Sequence, residues 1–268
     1  MKIPILRIIE YLVHNDEIYY SKKFNRKPLL KYQKDILTGG SNIYIYNYKN
    51  EDFTFVYTDD DLFILGNENN DECITLAIDK EKTVINMNNI TADQNIKCFF
   101  KQVTEKKGTF LLELAIKFAI SLSKKIPSLK KISLTDNSML YCDDIIKSVP
   151  FSDIRQIISG DTFYGKFGFI PINKQDIDSY NKNKKVLTKL IIGDINFNKY
   201  LSKFNKKDDN ILNFINENKT MKINELFNIL SNKNNFQENC ELIDYLIKKI
   251  YKHYNLVSMY HINYEINL

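Results

Sequence analysis

The stretch IKCFFKQVTEKKGTFLLELAIKFAISLSKKIPSLKKISL, residues 96–134, decides the fold because its hydrophobic pattern changes twice. Its first part, 96–101, is a short apolar run that indicates a strand. Apolar residues then recur at helical spacing over 110–124, with charged residues on the opposite face, and predict an amphipathic helix. A second apolar run at 131–134 indicates another strand. The order strand, loop, glycine, helix, strand predicts an α/β arrangement.

The loop and glycine before this helix have the features of an anion site. The first turn of a helix presents unpaired backbone N–H groups, which attract negative charge. Here Lys106 and Lys107 directly precede Gly108 and Thr109, where the predicted helix starts. The two lysines can meet phosphates by charge. The alternative interpretation of Gly108 is a helix-start glycine without a ligand.

The rest of the chain divides into strand patterns before this stretch and mostly helical patterns after it. Residues rich in Ile, Tyr, Phe and Val recur between polar turns and predict strands at 42–48, 53–57 and 62–65, as in an antiparallel meander, followed by further strands at 73–78 and 83–87. The other predicted elements are helices at 4–14, 28–37 and 143–159 (broken near Pro150), a strand at 168–172, helical segments within 173–254 and a final alternating strand at 256–268.

We therefore predict a single domain with four parts. They are N-terminal helices and a β-meander packed on the core (1–72), the core (73–172), a helical insertion (173–255) and a final core strand (256–268).

Composition places the chain among ordinary globular proteins: 268 residues, 44% hydrophobic and 26% charged, are enough for a full core. Glu113 and Lys117 interrupt the longest apolar stretch, and their burial in lipid would be costly. The apolar N-terminal run is not followed by a small-residue cleavage site. These patterns predict a cytoplasmic protein without a membrane span.

The cysteines and histidines do not form a recognisable metal or disulfide pattern. The four cysteines are far apart in sequence and contain no CxxC pair, so we interpret them as reduced thiols. The three histidines form no cluster from which a zinc site is built, and no metal is expected. The net charge of +5 comes with abundant Asn and Ile, whose codons are AT-rich like those of Lys, so we do not expect nucleic-acid binding.

Two motifs resemble those of the GNAT family of acyl-CoA-dependent N-acetyltransferases. The strand, loop, glycine, helix, strand unit resembles motif A, whose loop cradles the pyrophosphate of acetyl-CoA, and Gly108-Thr109-Phe110-Leu111-Leu112 looks like its last glycine followed by paired leucines. Residues 163–169, FYGKFGF, resemble the Tyr-x-x-x-Gly-Phe signature. In the family this tyrosine often protonates the departing CoA thiolate. The resemblance implies that role for Tyr164.

The resemblance covers 73–172 and the C-terminal strand, and it implies a GNAT-like α+β fold: a mixed, mostly antiparallel sheet with flanking helices and a helical insertion before the last strand. It implies acetyl-CoA as the cofactor and an amine, on a small molecule or a protein, as the acceptor. The residues that it implies for cofactor binding are Lys106, Lys107, Gly108, Thr109 and Asn137. Segments 134–138 and 160–164 also resemble divergent GNAT-like proteins encoded by large DNA viruses.

The pyrophosphate loop departs from the family's Arg/Gln-x-x-Gly-x-Gly/Ala pattern. Here VTEKKG, residues 103–108, keeps only the final glycine, and Lys106 replaces the first one, where backbone must approach phosphates closely. The acids Glu72, Asp93 and Glu105 do not differ enough to single out a general base. Three classes remain: an N-acyltransferase, a catalytically silent GNAT-like protein for binding or assembly, and a nucleic-acid-associated factor. The altered loop favours the second class and Tyr164 favours the first.

Overall fold

A computed structural model describes residues 18–19, 44–48, 51–57, 62–66, 72–90, 107–142, 147–195, 209–232 and 235–268. The chain is mixed α/β, with a mostly antiparallel sheet and flanking helices, so the predicted α+β class is confirmed at that level. It divides into two compact units, Met1–Leu134 with Ile266–Leu268, and Thr135–Glu265. The predicted helices at 4–14 and 28–37 lie outside the described residues.

The first unit begins with strands that each pair antiparallel with the next, and the pairing of the second, third and fourth confirms the meander predicted over 42–65. A turn closed by Asp79 joins the fifth and sixth of these strands. The Asp79 Oδ1 accepts hydrogen bonds from the backbone N–H groups of Thr83, at 2.6 Å, and Val84, at 2.7 Å. The strands are β1 (Ile18–Tyr19), β2 (Tyr44–Tyr48), β3 (Glu51–Tyr57), β4 (Leu62–Gly66), β5 (Glu72–Ile78) and β6 (Val84–Ile90).

The pairing becomes parallel between β6 and β7 (Lys131–Thr135), with Ile85 opposite Ile132. Parallel neighbours need a crossover connection, and the amphipathic helix α1 (Lys107–Ser123) lies within that connection. Its apolar face is buried, and the Phe118 ring lies 5.7 Å from the Phe63 ring of β4. The predicted helix and second strand are thus present, whereas the predicted strand 96–101 lies outside the described residues.

The second unit is mainly helical around an apolar core of its own. Hairpin strands β8 (Met139–Tyr141) and β9 (Ser148–Pro150) pair antiparallel, as do β10 (Ile170–Pro171) and β11 (Asn263–Asn267). The helices are α2 (Phe151–Ser159), α3 (Lys174–Leu187), α4 (Asp209–Glu217), α5 (Ile223–Leu230) and α6 (Phe236–Tyr254). Among the described residues, no helix is both long and apolar enough to cross a bilayer.

Two sequence predictions about this unit are wrong in extent. Within the helix predicted over 143–159, β9 occupies Ser148–Pro150 and the helix α2 begins at Phe151, while 143–146 lie outside the described residues. The strand predicted over 256–268 begins only at Asn263. His261 has a φ of 61°, which is not a strand conformation, and interrupts the alternating pattern just before β11.

The prediction of reduced thiols is also wrong. Cys142, just after β8, and Cys240, in α6, form a disulfide with their Cα atoms 5.7 Å apart. Cys73 is disulfide-bonded as well. Cys142 and Cys240 are 98 positions apart in the sequence, so no local pattern indicates their proximity. The packing of α6 against β9 brings them within bonding range.

Candidate functional site

The residues predicted to bind the cofactor fall at two places in the chain. Lys107, Gly108 and Thr109 form the first turn of α1 in the first unit, where Gly108 and Thr109 are half-buried. Lys106 lies outside the described residues. Asn137 belongs to the second unit and is exposed just after β7.

Tyr164 lies in a compact turn between α2 and β10. Gly160, with a φ of 77°, ends α2, and Gly168, with a φ of 89°, ends the short 3-10 helix Gly165–Phe167. The Tyr164 carbonyl accepts a hydrogen bond at 2.9 Å from the backbone N–H of Phe167. The FYGKFGF segment therefore folds on itself and fixes the backbone of its tyrosine.

The Tyr164 side chain is packed among aromatic rings and is partly accessible. Its ring centroid lies 5.2 Å from that of Phe163, 6.1 Å from Phe169 and 6.3 Å from Tyr264. Burial raises the pKa of the Tyr164 hydroxyl, and the negative charge of Asp136 raises it further. Tyr164 is therefore a protonated phenol at neutral pH.

Asp136 is a buried carboxylic acid directly after β7, with 0% of its surface exposed. Its Oδ1 accepts hydrogen bonds from the backbone N–H of Ser138, at 3.0 Å, and from the Ser138 hydroxyl. Its Oδ2 has no hydrogen-bond partner. Burial raises the pKa of Asp136, against the opposing effects of the Ser138 hydrogen bonds and of His261.

A second buried acid, Asp153 of α2, has both oxygens bonded. The Ser258 hydroxyl donates to Oδ2 at 2.7 Å, and the Met259 backbone N–H donates to Oδ1 at 3.0 Å. Burial raises the pKa of Asp153 to about 6. The same helix carries Gln156, whose Oε1 accepts a hydrogen bond at 2.9 Å from the buried amide of Asn183.

Tyr264 of β11 completes the cluster that we call the acid–tyrosine cluster: Asp136, Asp153, Tyr164 and Tyr264. Its side chain is fully buried, and the side chain of Thr162 is a polar neighbour of its hydroxyl. Burial is the main cause of its raised pKa. The sequence analysis includes Asp136 only within the segment 134–138, and it misses Asp153 and Tyr264 because neither belongs to a recognisable motif.

In the part of the chain that the structure describes, no three His, Cys, Asp or Glu side chains are grouped so as to hold a metal ion. The sequence matches no protein-family model, no curated protein and no solved structure. The function must therefore be argued from the side chains themselves.

Proposed function

We propose that the chain is an acyl-CoA-dependent N-acyltransferase of the GNAT type, which transfers an acetyl group from acetyl-CoA to an amine. The Tyr164 hydroxyl carries the proposal. A general acid must hold its proton at the working pH, and a tyrosine phenol does so at neutral pH with an ordinary or a raised pKa. Tyr164 also occupies the tyrosine position of the Tyr-x-x-x-Gly-Phe motif.

The first unit supports the same proposal through the start of α1. The resemblance to motif A has 96–101, outside the described residues, as its first strand, and α1 followed by β7 as its helix and second strand. The first turn of α1 carries no acidic residue, so no carboxylate there competes with a phosphate for the backbone N–H groups. We assign pyrophosphate binding to this turn and to the adjacent Lys106 and Lys107.

Isothermal titration calorimetry with acetyl-CoA tests the binding step. Two lysine contacts of about 0.5–1 kcal/mol each predict that Lys106→Ala with Lys107→Ala weakens Kd about five- to thirtyfold, and that added salt weakens binding as well. Lys80→Ala with Lys124→Ala removes two exposed lysines of the same unit and serves as the control. No heat at millimolar acetyl-CoA would end the acyltransferase proposal.

Steady-state kinetics of Tyr164→Phe test the chemical step once an acceptor amine has been found by screening. We expect kcat to fall about a hundredfold, because the leaving thiolate loses its proton donor, with little change in Tm. Tyr141→Phe, which alters an exposed tyrosine of the same unit, is the matched control. Unchanged turnover in Tyr164→Phe would assign Tyr164 to packing alone.

The second candidate function is a catalytically inactive GNAT-like protein that serves as a binding or assembly module. The observation that favours it is the close packing of the Tyr164 ring against Phe163, Phe169 and Tyr264, which suits a core residue. This candidate predicts that acetyl-CoA does not bind and that Tyr164→Phe acts only on stability.

A further inference from the structure

One face of helix α3 follows the turn that carries Tyr164. The residues Tyr180, Lys184 and Thr188 are four positions apart, so they lie on one face of this helix and of its C-terminal cap. A Cβ added at Gly160, at the start of the turn, would lie 3.5 Å from Lys184 Cγ and 2.8 Å from Thr188 Cγ2. This end of the turn therefore packs directly on the helix.

The Tyr180 hydroxyl contacts the turn on both sides of Tyr164. It donates a hydrogen bond to Oδ1 of Asp161, three residues before Tyr164. It also lies so close to Gly165, the residue after Tyr164, that a Cβ added there would be 2.6 Å from the hydroxyl oxygen. Lys184 Nζ donates to the same Oδ1 of Asp161 at 2.8 Å. We call Asp161, Tyr180 and Lys184 the α3 clamp.

The Asp161 carboxyl of the α3 clamp is ionised at neutral pH. Burial raises the pKa of Asp161, but the hydrogen bonds from Lys184 and Tyr180 outweigh burial and bring this pKa below its ordinary value. Hydrogen bonds to an ionised acceptor are roughly twice as strong as those between neutral groups. The clamp therefore holds the turn with charge-assisted bonds.

Hydrogen bonds within the turn connect Gly165 to the backbone of Tyr164. The Gly165 N–H donates to Thr162 Oγ1 at 3.1 Å, and the Gly165 carbonyl accepts from the Gly168 N–H at 3.0 Å. Thr162 is itself 0% exposed. Since Tyr164 lies between Thr162 and Gly165 in the chain, a displacement of Gly165 also displaces Tyr164.

We propose that Tyr180 is a positioning residue for Tyr164, whose hydroxyl fixes the place from which the Tyr164 phenol protonates the departing CoA thiolate. This inference rests on the proposed function and extends it to the segment 173–255, which lies outside the resemblance to the GNAT family. Tyr180 itself exchanges no proton in this step, because burial and the hydrogen bond to Asp161 raise its pKa. The helical segment thus supports the proposed active site directly.

Fluorine NMR of the full chain labelled with 3-fluorotyrosine tests the positioning without needing activity. Tyr164→Phe assigns the Tyr164 signal. Tyr180→Phe removes only a hydroxyl and keeps the ring, so it should shift the Tyr164 signal by more than the linewidth. Tyr141→Phe removes the hydroxyl of an exposed tyrosine of the same unit and should leave the signal in place. A Tyr164 signal that Tyr180→Phe does not move would overturn the proposal.

The close approach at Gly165 allows one substitution to cancel the effect of another. The Cβ of Gly165→Ala meets the Tyr180 hydroxyl at 2.6 Å, whereas its next contacts are longer, at 3.2 Å to Thr162 Oγ1 and 3.4 Å to Tyr180 Cζ. Gly165→Ala alone should therefore shift the Tyr164 signal and lower Tm, and both effects should become small in the presence of Tyr180→Phe. Folding that is lost in Gly165→Ala and recovered in the double variant is the same result. Equal effects with and without Tyr180→Phe would contradict the proposal.

Kinetics test whether the positioning matters for the reaction. With an active acceptor amine, Tyr180→Phe should lower kcat about tenfold with little change in KM, because a misplaced catalytic group slows the chemical step. In the presence of Tyr164→Phe, the change Tyr180→Phe should lower kcat no further, since the phenol that it positions is gone. An equal loss with and without Tyr164→Phe would mean that Tyr180 acts elsewhere, and would refute the proposal.

The two kinds of measurement separate this inference from the proposed function. If acetyl-CoA does not bind, the proposed function fails and there is no kcat to compare. The NMR comparisons still decide whether the Tyr180 hydroxyl sets the position of Tyr164. If acetyl-CoA binds and an amine is acylated but Tyr180→Phe changes neither the Tyr164 signal nor kcat, the proposed function stands and the positioning role is wrong.

Discussion

Removal of the Cys142–Cys240 disulfide should cause a large loss of stability. The bond closes a loop of 98 residues, and in the chain-entropy treatment a loop of that size contributes about 4.7 kcal/mol by restricting the unfolded chain. For units of this size each kcal/mol corresponds to about 2–4 °C in melting temperature. The double variant Cys142→Ala with Cys240→Ala should therefore melt about 10–20 °C below the oxidised protein.

The measurement is differential scanning calorimetry of the oxidised protein, the double variant and the protein reduced with dithiothreitol. Reduction leaves the packing of both sulfur atoms in place, so it isolates the bond from the loss of side-chain volume. Dithiothreitol also opens the disulfide of Cys73, so the reduced protein is compared with the reduced double variant. Their melting temperatures should differ only by the packing contribution of the two sulfur atoms. An oxidised protein whose melting temperature equals that of the double variant would refute the loop-entropy reasoning. Mass spectrometry after alkylation without reductant must first show that Cys142 and Cys240 are bonded.

Three further changes should be measured by urea unfolding. Burial raises the pKa of Asp153 to about 6 in the folded state, against 3.8 without burial. The free energy of unfolding should therefore fall by about 3 kcal/mol as the pH rises from about 4 to about 6, and then level off. The variant Asp153→Asn should not show this fall. Asn183→Ala should cost about 2–3 kcal/mol, because its buried amide also donates to the Val257 carbonyl at 2.6 Å, and a cost below about 0.5 kcal/mol would contradict this. Tyr264→Ala should lower the free energy of unfolding by about 3–5 kcal/mol, since the ring is fully buried. Asn267→Ala, at an exposed position of the same strand, should change it by less than about 0.5 kcal/mol. Equal effects of the two variants would be inconsistent with the burial of Tyr264.

The sequence was most informative where structure depends on local pattern. Helix α1 could be predicted because its buried residues recur every three or four positions. The strands of the meander could be predicted because turns rich in Asp and Asn separate runs of β-branched and aromatic residues. In both cases the information lies within a few neighbouring residues.

Long-range packing explains what the sequence could not predict. The pattern at 256–268 predicts a continuous strand, but the Val257 and Met259 N–H groups donate to side chains of α3 and α2 instead of to a neighbouring strand. Asp136 accepts a hydrogen bond from the residue two positions later, as a turn-capping Asp does, and nothing local indicates that it is also buried. The acid–tyrosine cluster assembles from positions up to 128 residues apart, so no short motif marks it.

The turn around Tyr164 has a consequence for ligand affinity. Its backbone is closed at both ends by glycines in the left-handed conformation, and a Cβ added at Gly160 would lie 2.8 Å from Thr188 Cγ2. The conformational entropy of this segment is therefore lost when the protein folds, and in the proposed acyltransferase a ligand that contacts Tyr164 would not bear that cost again on binding. Replacing either glycine by a larger residue would relax this preorganisation, and would reduce affinity without removing any group that touches the ligand.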